Sequence, residues 1–170
     1  MTLVAIGIGG NVGDRLRVLS QAISLLQKNP CIKSLQSSSW YETVPIGYEP
    51  QPLFLNGALA LHTDLSPDEL LVCLQEIEVT LGRHRTIPNG PRTVDMDLLF
   101  YGDLLIDAGH LTVPHPRCAQ RAFVLVPLSE ILPNFIHPRL NRSISDLLAD
   151  LGPVERLIHP YHRSLSESCE

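Results

Sequence analysis

Lysine is nearly missing from this chain: of 13 basic residues only Lys28 and Lys33 are lysines, and the rest are arginines. No G-x-x-x-x-G-K-[ST] pattern occurs, so a P-loop kinase is not expected. Any phosphate cradle must rest on arginine, histidine and backbone N–H groups, and arginine suits that task because its planar fork binds two oxygens at once. Paired cysteines are missing as well. Cys31, Cys73, Cys118 and Cys169 are widely spaced with no C-x-x-C, which argues for reduced thiols and a cytoplasmic setting rather than a disulfide or zinc framework. Aromatic residues make up only 5% and the net charge is −5, so the basic, aromatic-bearing surface of a general nucleic-acid binder is lacking. No stretch reads as a membrane-spanning helix. The apolar start from Met1 to Gly10 has no basic n-region and is expected to be a buried first strand.

With 170 residues, 44% of them hydrophobic, the chain can bury a core without staples, and one domain over 1–170 is expected. Leu3 to Ile8 reads as a strand running into Gly9-Gly10-Asn11. A helix follows from about Asp14, with Leu16, Leu19, Ile23 and Leu26 on one face. Ile32 to Tyr41 reads as one serine-rich strand, residues 43–52 as a loop holding Pro45, Gly47, Pro50 and Pro52, and Phe54 to Thr63 as a third strand. Ser66-Pro67-Asp68-Glu69 is a capping box with proline at the first helical position. Leu70, Leu74, Ile77 and Leu81 form the buried stripe of that helix and Gly82 closes it. A loop over 83–92 leads to a strand, and Gly102-Asp103 reads as a hairpin-like turn before Leu104-Leu105-Ile106. Phe123 to Ile131 is an apolar run interrupted by Pro127 that pattern alone does not assign. Ser143 to Leu151 reads as a short helix, and residues 165–170 are expected to be disordered. The order β-α-β-β-α-β predicts a ferredoxin-like α+β domain, a mostly antiparallel sheet with helices packed on it and C-terminal additions. That fold hosts many functions, so the chemistry must come from particular residues.

The chemistry concentrates between Asn89 and Tyr101. Val94, Met96 and Leu98 alternate with Asp95 and Asp97, so both carboxylates point to one face of a strand, about 7 Å apart. Two like charges that close repel each other unless a cation sits between them. Just upstream, Arg83, Arg85 and Arg92 add positive charge with no acid between them. Carboxylates for Mg²⁺ beside arginines for phosphate point to a nucleotide-handling enzyme. The bland alternative is a solvated acidic pair and a solvated basic loop. Three arginines in ten residues of an acidic chain, leading into Asp-x-Asp, favour function. Gln75 and Glu78 sit one turn apart on the second helix, off its apolar stripe, and can point together toward a nucleotide. Asn56, inside an apolar strand, is a buried amide in need of partners.

From Gly90 to Leu99 the chain closely resembles the signature of the 6-hydroxymethyl-7,8-dihydropterin pyrophosphokinase family of folate biosynthesis. The resemblance continues in order through Ile8-Gly9-Gly10-Asn11, Thr43 to Gly47, Gln51 to Asn56, Gln75 to Glu78, Gly82 to Arg85, Leu111 to His115 and Arg121 to Phe123. It implies transfer of the terminal diphosphate of ATP to the pterin hydroxymethyl group by attack at the β-phosphorus, giving AMP. It implies two Mg²⁺ ions held by Asp95 and Asp97, with Arg83 and Arg92 as catalytic partners. ATP contacts are implied at Gln75, Glu78, Arg83, Arg85, Arg92, Leu98, Thr112, His115 and Arg121. The pterin site is implied at Thr43, Pro45, Ile46, Gly47, Phe54, Asn56, Asp95 and Phe123, with the two phenylalanines sandwiching the ring. A lid over 83–92 and a monomeric state are also expected. The chain departs from the family at Gly10, Val44, Asn89 and His110, where Ser, Pro, Trp and Arg are common, so lid closure and one phosphate contact are expected to differ. The rival readings are a Mg²⁺-dependent nucleotidyltransferase or nucleotide hydrolase using the same acids, and a ferredoxin-like RNA-binding module.

Overall fold

The computed structural model describes residues 1–46, 50–84 and 87–162. The expectations for Gly47, for Arg85 and for disorder at 165–170 lie outside these described residues. The chain runs β1 (Thr2–Gly10), α1 (Arg15–Lys28), β2 (Ile32–Ser37), β3 (Tyr41–Thr43), β4 (Phe54–Thr63), α2 (Pro67–Thr80), β5 (Asp95–Tyr101), β6 (Ile106–Asp107), β7 (Thr112–Val113), α3 (Ala122–Ile131), α4 (Ile144–Asp150) and β8 (Ile158–Pro160). The main sheet is ordered β5-β1-β4-β3-β8, with β2 also paired to β4, and every pairing is antiparallel. β6 and β7 form a separate two-stranded ribbon. The architecture is α+β.

Alternation along the strands builds two apolar layers. Val4, Ile6, Ile8, Leu55, Leu59, Leu61, Met96 and Leu98 face α1 and α2 and meet Leu19, Leu26, Leu70 and Leu74. Ala5, Ala58, Leu99 and Phe100 face α3 and α4 and meet Leu125, Leu128, Ile144 and Leu147. Asp95 and Asp97 share the phase of Leu99, so they emerge on the α3 side where β5 begins. The caps match their sequence signals. Asp14 accepts from Arg17 N at the start of α1, and Ser66 and Glu69 exchange the two bonds of a capping box on α2. Among the described residues no helix is long and apolar enough to cross a membrane.

The single strand expected over Ile32–Tyr41 is two strands, β2 and β3, along one edge of β4. The break is built by side chains. Ser38 Oγ accepts from Ala58 N at 2.9 Å and donates to Ser39 O at 2.7 Å, and the Trp40 ring lies over Gly57, where a Cβ would come within 2.8 Å of it. The strand expected at 104–106 begins only at Ile106. The unassigned run becomes α3, with Pro127 inside it.

β1 ends against the backbone that precedes β5. Asn11 N donates to Arg92 O at 2.9 Å, Arg92 N donates to Asn11 Oδ1 at 3.0 Å, and a Cβ at Gly10 would lie 2.2 Å from Thr93 O. This close approach leaves no room for a Cβ at Gly10 in this chain. Gly10→Ala is expected to force the two backbones apart at about 1–3 kcal/mol, lowering the melting temperature by roughly 5 °C. An unchanged melting curve would rule out so close an approach of the two backbones.

Candidate active site

The start of β5, the end of β1, the start of β4 and the first turn of α3 meet around two joined hollows. The inner one is walled by Phe54 of β4 and Phe123 of α3, with Thr43, Val44, Ile46 and Asn56 around them and Gly7 and Gly9 in its floor. The outer one is lined by Arg83, His84, Arg92, His115 and Arg121 and by residues 87–91. Asn89, Arg92, Asp95, Asp97 and Arg121 line both, so the carboxylates sit at the junction.

Asp95 is gripped from both sides. Arg83 Nη1 lies 2.6 Å from its Oδ1 and Arg92 Nη1 lies 2.7 Å from its Oδ2. Asp97 makes no ion pair and no side-chain hydrogen bond among the described residues. Burial first, and then the negative charges of Asp95 and Glu78, push its carboxyl up from 3.8 to about 7. Burial and the neighbouring Arg121 charge hold the His115 imidazole below its usual range, so it is neutral at pH 7. Its Nδ1 accepts from Arg117 N at 3.2 Å.

Each aromatic wall carries a guanidinium. Arg92 lies 5.5 Å from the centroid of Phe54, and Arg121 lies 5.4 Å from that of Phe123. Both separations are within cation–π range. The same two arginines also line the outer hollow, so the aromatic walls of the inner hollow and the basic lining of the outer one share side chains. Asn56 is buried, and its Nδ2 donates to Thr43 Oγ1 at 2.6 Å. A Cβ at Gly9 would lie 2.2 Å from Asn56 Oδ1, so the bare glycine is what leaves room for this amide. Asn11 Nδ2 donates to Gln51 Oε1 and to Pro52 O, and Gln51 Nε2 donates to Asn89 O, linking the rims of the two hollows.

Several expected site residues stand elsewhere. Glu78 is not on an open face of α2 but buried, at 5% exposure. Its Oε1 accepts from Met96 N at 2.7 Å and lies 2.5 Å from Arg83 Nη1, so it anchors β5 and aims an arginine. Burial raises its carboxyl pKa, while the Met96 N–H and Arg83 oppose that rise. Gln75 is exposed one turn away, and the two do not present a shared face. The Leu98 side chain points into the apolar core, opposite to Asp97, because it is the next residue along a strand. Thr112 and Pro45 are half-buried and line neither hollow. His110 pairs with Asp68 at 2.6 Å on the exposed start of α2 and lines neither hollow. Asn89 has φ +56 and lines both hollows, and Arg117 lines the inner one. Asn89 was expected only as a departure from the family pattern, and Arg117 was not among the expected site residues.

Paired acids between arginines, beside two aromatic walls, define a nucleotide-handling transferase on an α+β scaffold. Residues 5–133 match the family described as 7,8-dihydro-6-hydroxymethylpterin-pyrophosphokinase (HPPK), and the chain belongs to that family. It is 45% identical over 143 residues to the 2-amino-4-hydroxy-6-hydroxymethyldihydropteridine pyrophosphokinase of Synechocystis sp., covering 84% of this chain and 73% of the relative. It is 48% identical over 126 residues to the protein of the same name from Bacillus subtilis, covering 74% and 75%. Among solved structures, an HPPK-DHPS in complex with substrates superposes with a TM-score of 0.68 at 16% identity, covering 88% of this chain and 43% of that one. At that identity the likeness speaks to the fold alone.

Proposed function

We propose that the chain transfers the terminal diphosphate of ATP to the hydroxymethyl group of 6-hydroxymethyl-7,8-dihydropterin, releasing AMP, as a step in folate biosynthesis. Membership of the family supports the reaction. One observation supports its location: the Phe54–Arg92 and Phe123–Arg121 pairs beside Asp95 and Asp97. A flat pterin stacks on the phenylalanine rings, and its edge bonds to Asn56 and to the backbone near Thr43. The hydroxymethyl group then reaches the junction at Asp95. Arg92 and Arg121 reach from those rings to the triphosphate, joined by Arg83 and neutral His115 in the outer hollow. Catalysis is positioning and charge compensation, which is the usual means of phosphoryl transfer.

Asp95 and Asp97 are the residues that would hold Mg²⁺. Among the described residues no cluster of three His, Cys, Asp or Glu is arranged to hold an ion. Two hard carboxylates without a third protein ligand suit Mg²⁺, which keeps waters and takes phosphate oxygens from its substrate. The bound metal would supply neutralisation of the triphosphate charge. Glu78 acts behind this site by holding Arg83 against Asp95. We also assign the core to the ferredoxin-like arrangement. Taking β2 and β3 as one interrupted strand yields the order β-α-β-β-α-β, with β1 between β4 and β5.

The test is product analysis with ATP and Mg²⁺, with and without the pterin. AMP is expected only when the pterin is present, in equal amount to the pterin diphosphate. AMP or ADP forming at the same rate without pterin would favour a nucleotide hydrolase or nucleotidyltransferase instead.

A further inference from the structure

Arg15 opens α1, where the helix dipole is positive and a cation is disfavoured; the Asp14 cap carboxylate is spent on Arg17 N, and no acid follows within the first turn. A residue that breaks a local rule is held by something else. Its Nη2 donates to Glu42 Oε1 at 2.6 Å, its Nη1 donates to the Leu53 carbonyl at 3.0 Å, and its guanidinium carbon lies 5.7 Å from the centre of the Tyr161 ring. Glu42 and Leu53 immediately precede Thr43 and Phe54, which pair across β3 and β4 and line the inner hollow. One planar fork thus grips the chain on both sides of that wall. The ion pair is only 23% and 30% exposed at its two side chains, so solvent screens it less than a surface pair. Tyr161 is delivered by β8, which covers the outer edge of β3, and its N–H donates to Trp40 O at 2.9 Å. β8 and Tyr161 lie outside residues 5–133, the part that matches the family.

We propose that Arg15, seated beneath the ring of Tyr161, is a positioning residue for the pterin wall, fixing Thr43 and Phe54 and so governing pterin affinity without touching the reacting atoms. The proposal rests on the pterin reading given above. Loss of the fork lets the wall relax in the free enzyme, and pterin must then order it on binding. ATP meets other residues and is bound as before. The effect is therefore uneven between the two substrates.

The experiment is steady-state kinetics of Arg15→Ala and Arg15→Lys beside the wild type, with melting curves for each. Arg15→Ala is expected to raise the pterin KM about tenfold while kcat and the ATP KM stay within about twofold. Arg15→Lys keeps a charge for Glu42 but not a fork that also reaches the Leu53 carbonyl, so a rise of about threefold is expected. An unchanged pterin KM, or equal rises for both substrates, would overturn the proposal. Should Arg15→Ala fail to fold, Arg15→Lys decides by the same criteria. A wild type without pterin-dependent AMP formation would instead sink the underlying function, so the two failures are distinguishable.

Discussion

Asp97→Asn is expected to make the chain more stable at pH 8 and to lower its turnover by roughly 10²-fold or more. The stability gain follows from linkage. A carboxyl whose pKa is raised on folding stabilises the fold below its unfolded value, and that contribution is lost as pH rises through the folded value. For Asp97 the window runs from 3.8 to about 7. At pH 8 the half-buried charge beside Asp95 and Glu78 opposes folding. Asparagine keeps the shape and removes the charge. With a chelator present, its melting temperature should exceed that of the wild type by roughly 5–10 °C at pH 8 and match it within about 2 °C at pH 4. Added Mg²⁺ should stabilise the wild type at pH 8 and leave the variant nearly unmoved, because only a ligand that prefers the folded state shifts the curve. Equal melting temperatures at pH 8 would refute the burial of a charge here. Near-normal turnover of the variant would remove Asp97 from the metal site.

Asp97 belongs to the part of the site that was most legible in the sequence. Period-two alternation puts Asp95 and Asp97 on one face without any knowledge of their neighbours, and the capping box at Ser66 fixes the start of α2 by bonds only three residues long. The features that were not legible depend on partners far along the chain. Glu78 read as an outward residue pointing with Gln75 toward a nucleotide, because its two partners, Met96 N and Arg83, belong to β5 and to the loop before it. Burial of a charge is visible only once its counter-charge is in place. The break between β2 and β3 needs Ala58 and Gly57, which come some twenty residues later. α3 was unreadable for another reason. It packs on the sheet and on α4, so apolar residues surround it and no periodic stripe survives, while Pro127 argues against any helix. His110 and Asp68 pair only because the segment after β6 folds back over the start of α2. Phe54 and Phe123 illustrate the limit of pattern reading. Either would pass for ordinary core, and only their shared hollow makes them a pair.

Phe123→Leu is expected to raise the pterin KM by roughly 10²-fold while the melting temperature falls by only a few degrees. Phe123 sits at the second position of α3, half-buried, with one side on the apolar cluster of Leu125 and Leu128 and the other open to the inner hollow. Leucine keeps most of the contact with the cluster and is a better helix former, so the fold is retained. What it cannot supply is a flat π-face. Stacking of a heteroaromatic ring adds about 0.5–1.5 kcal/mol beyond the area it buries, and the lost contact area adds a comparable amount. The guanidinium of Arg121, 5.4 Å from the Phe123 centroid, loses its platform at the same time. A smaller rise in the ATP KM, of about threefold, is therefore expected with it. Phe54→Leu removes the other wall and, through Arg92, the other guanidinium platform. If the two rings clamp one ligand, the double variant should lose less than the product of the single effects, because a ring stacked on one side only is already poorly held. Strict multiplication of the two effects would show that the phenylalanines act on separate ligands, and an unchanged pterin KM in Phe123→Leu would take the pterin out of this hollow altogether.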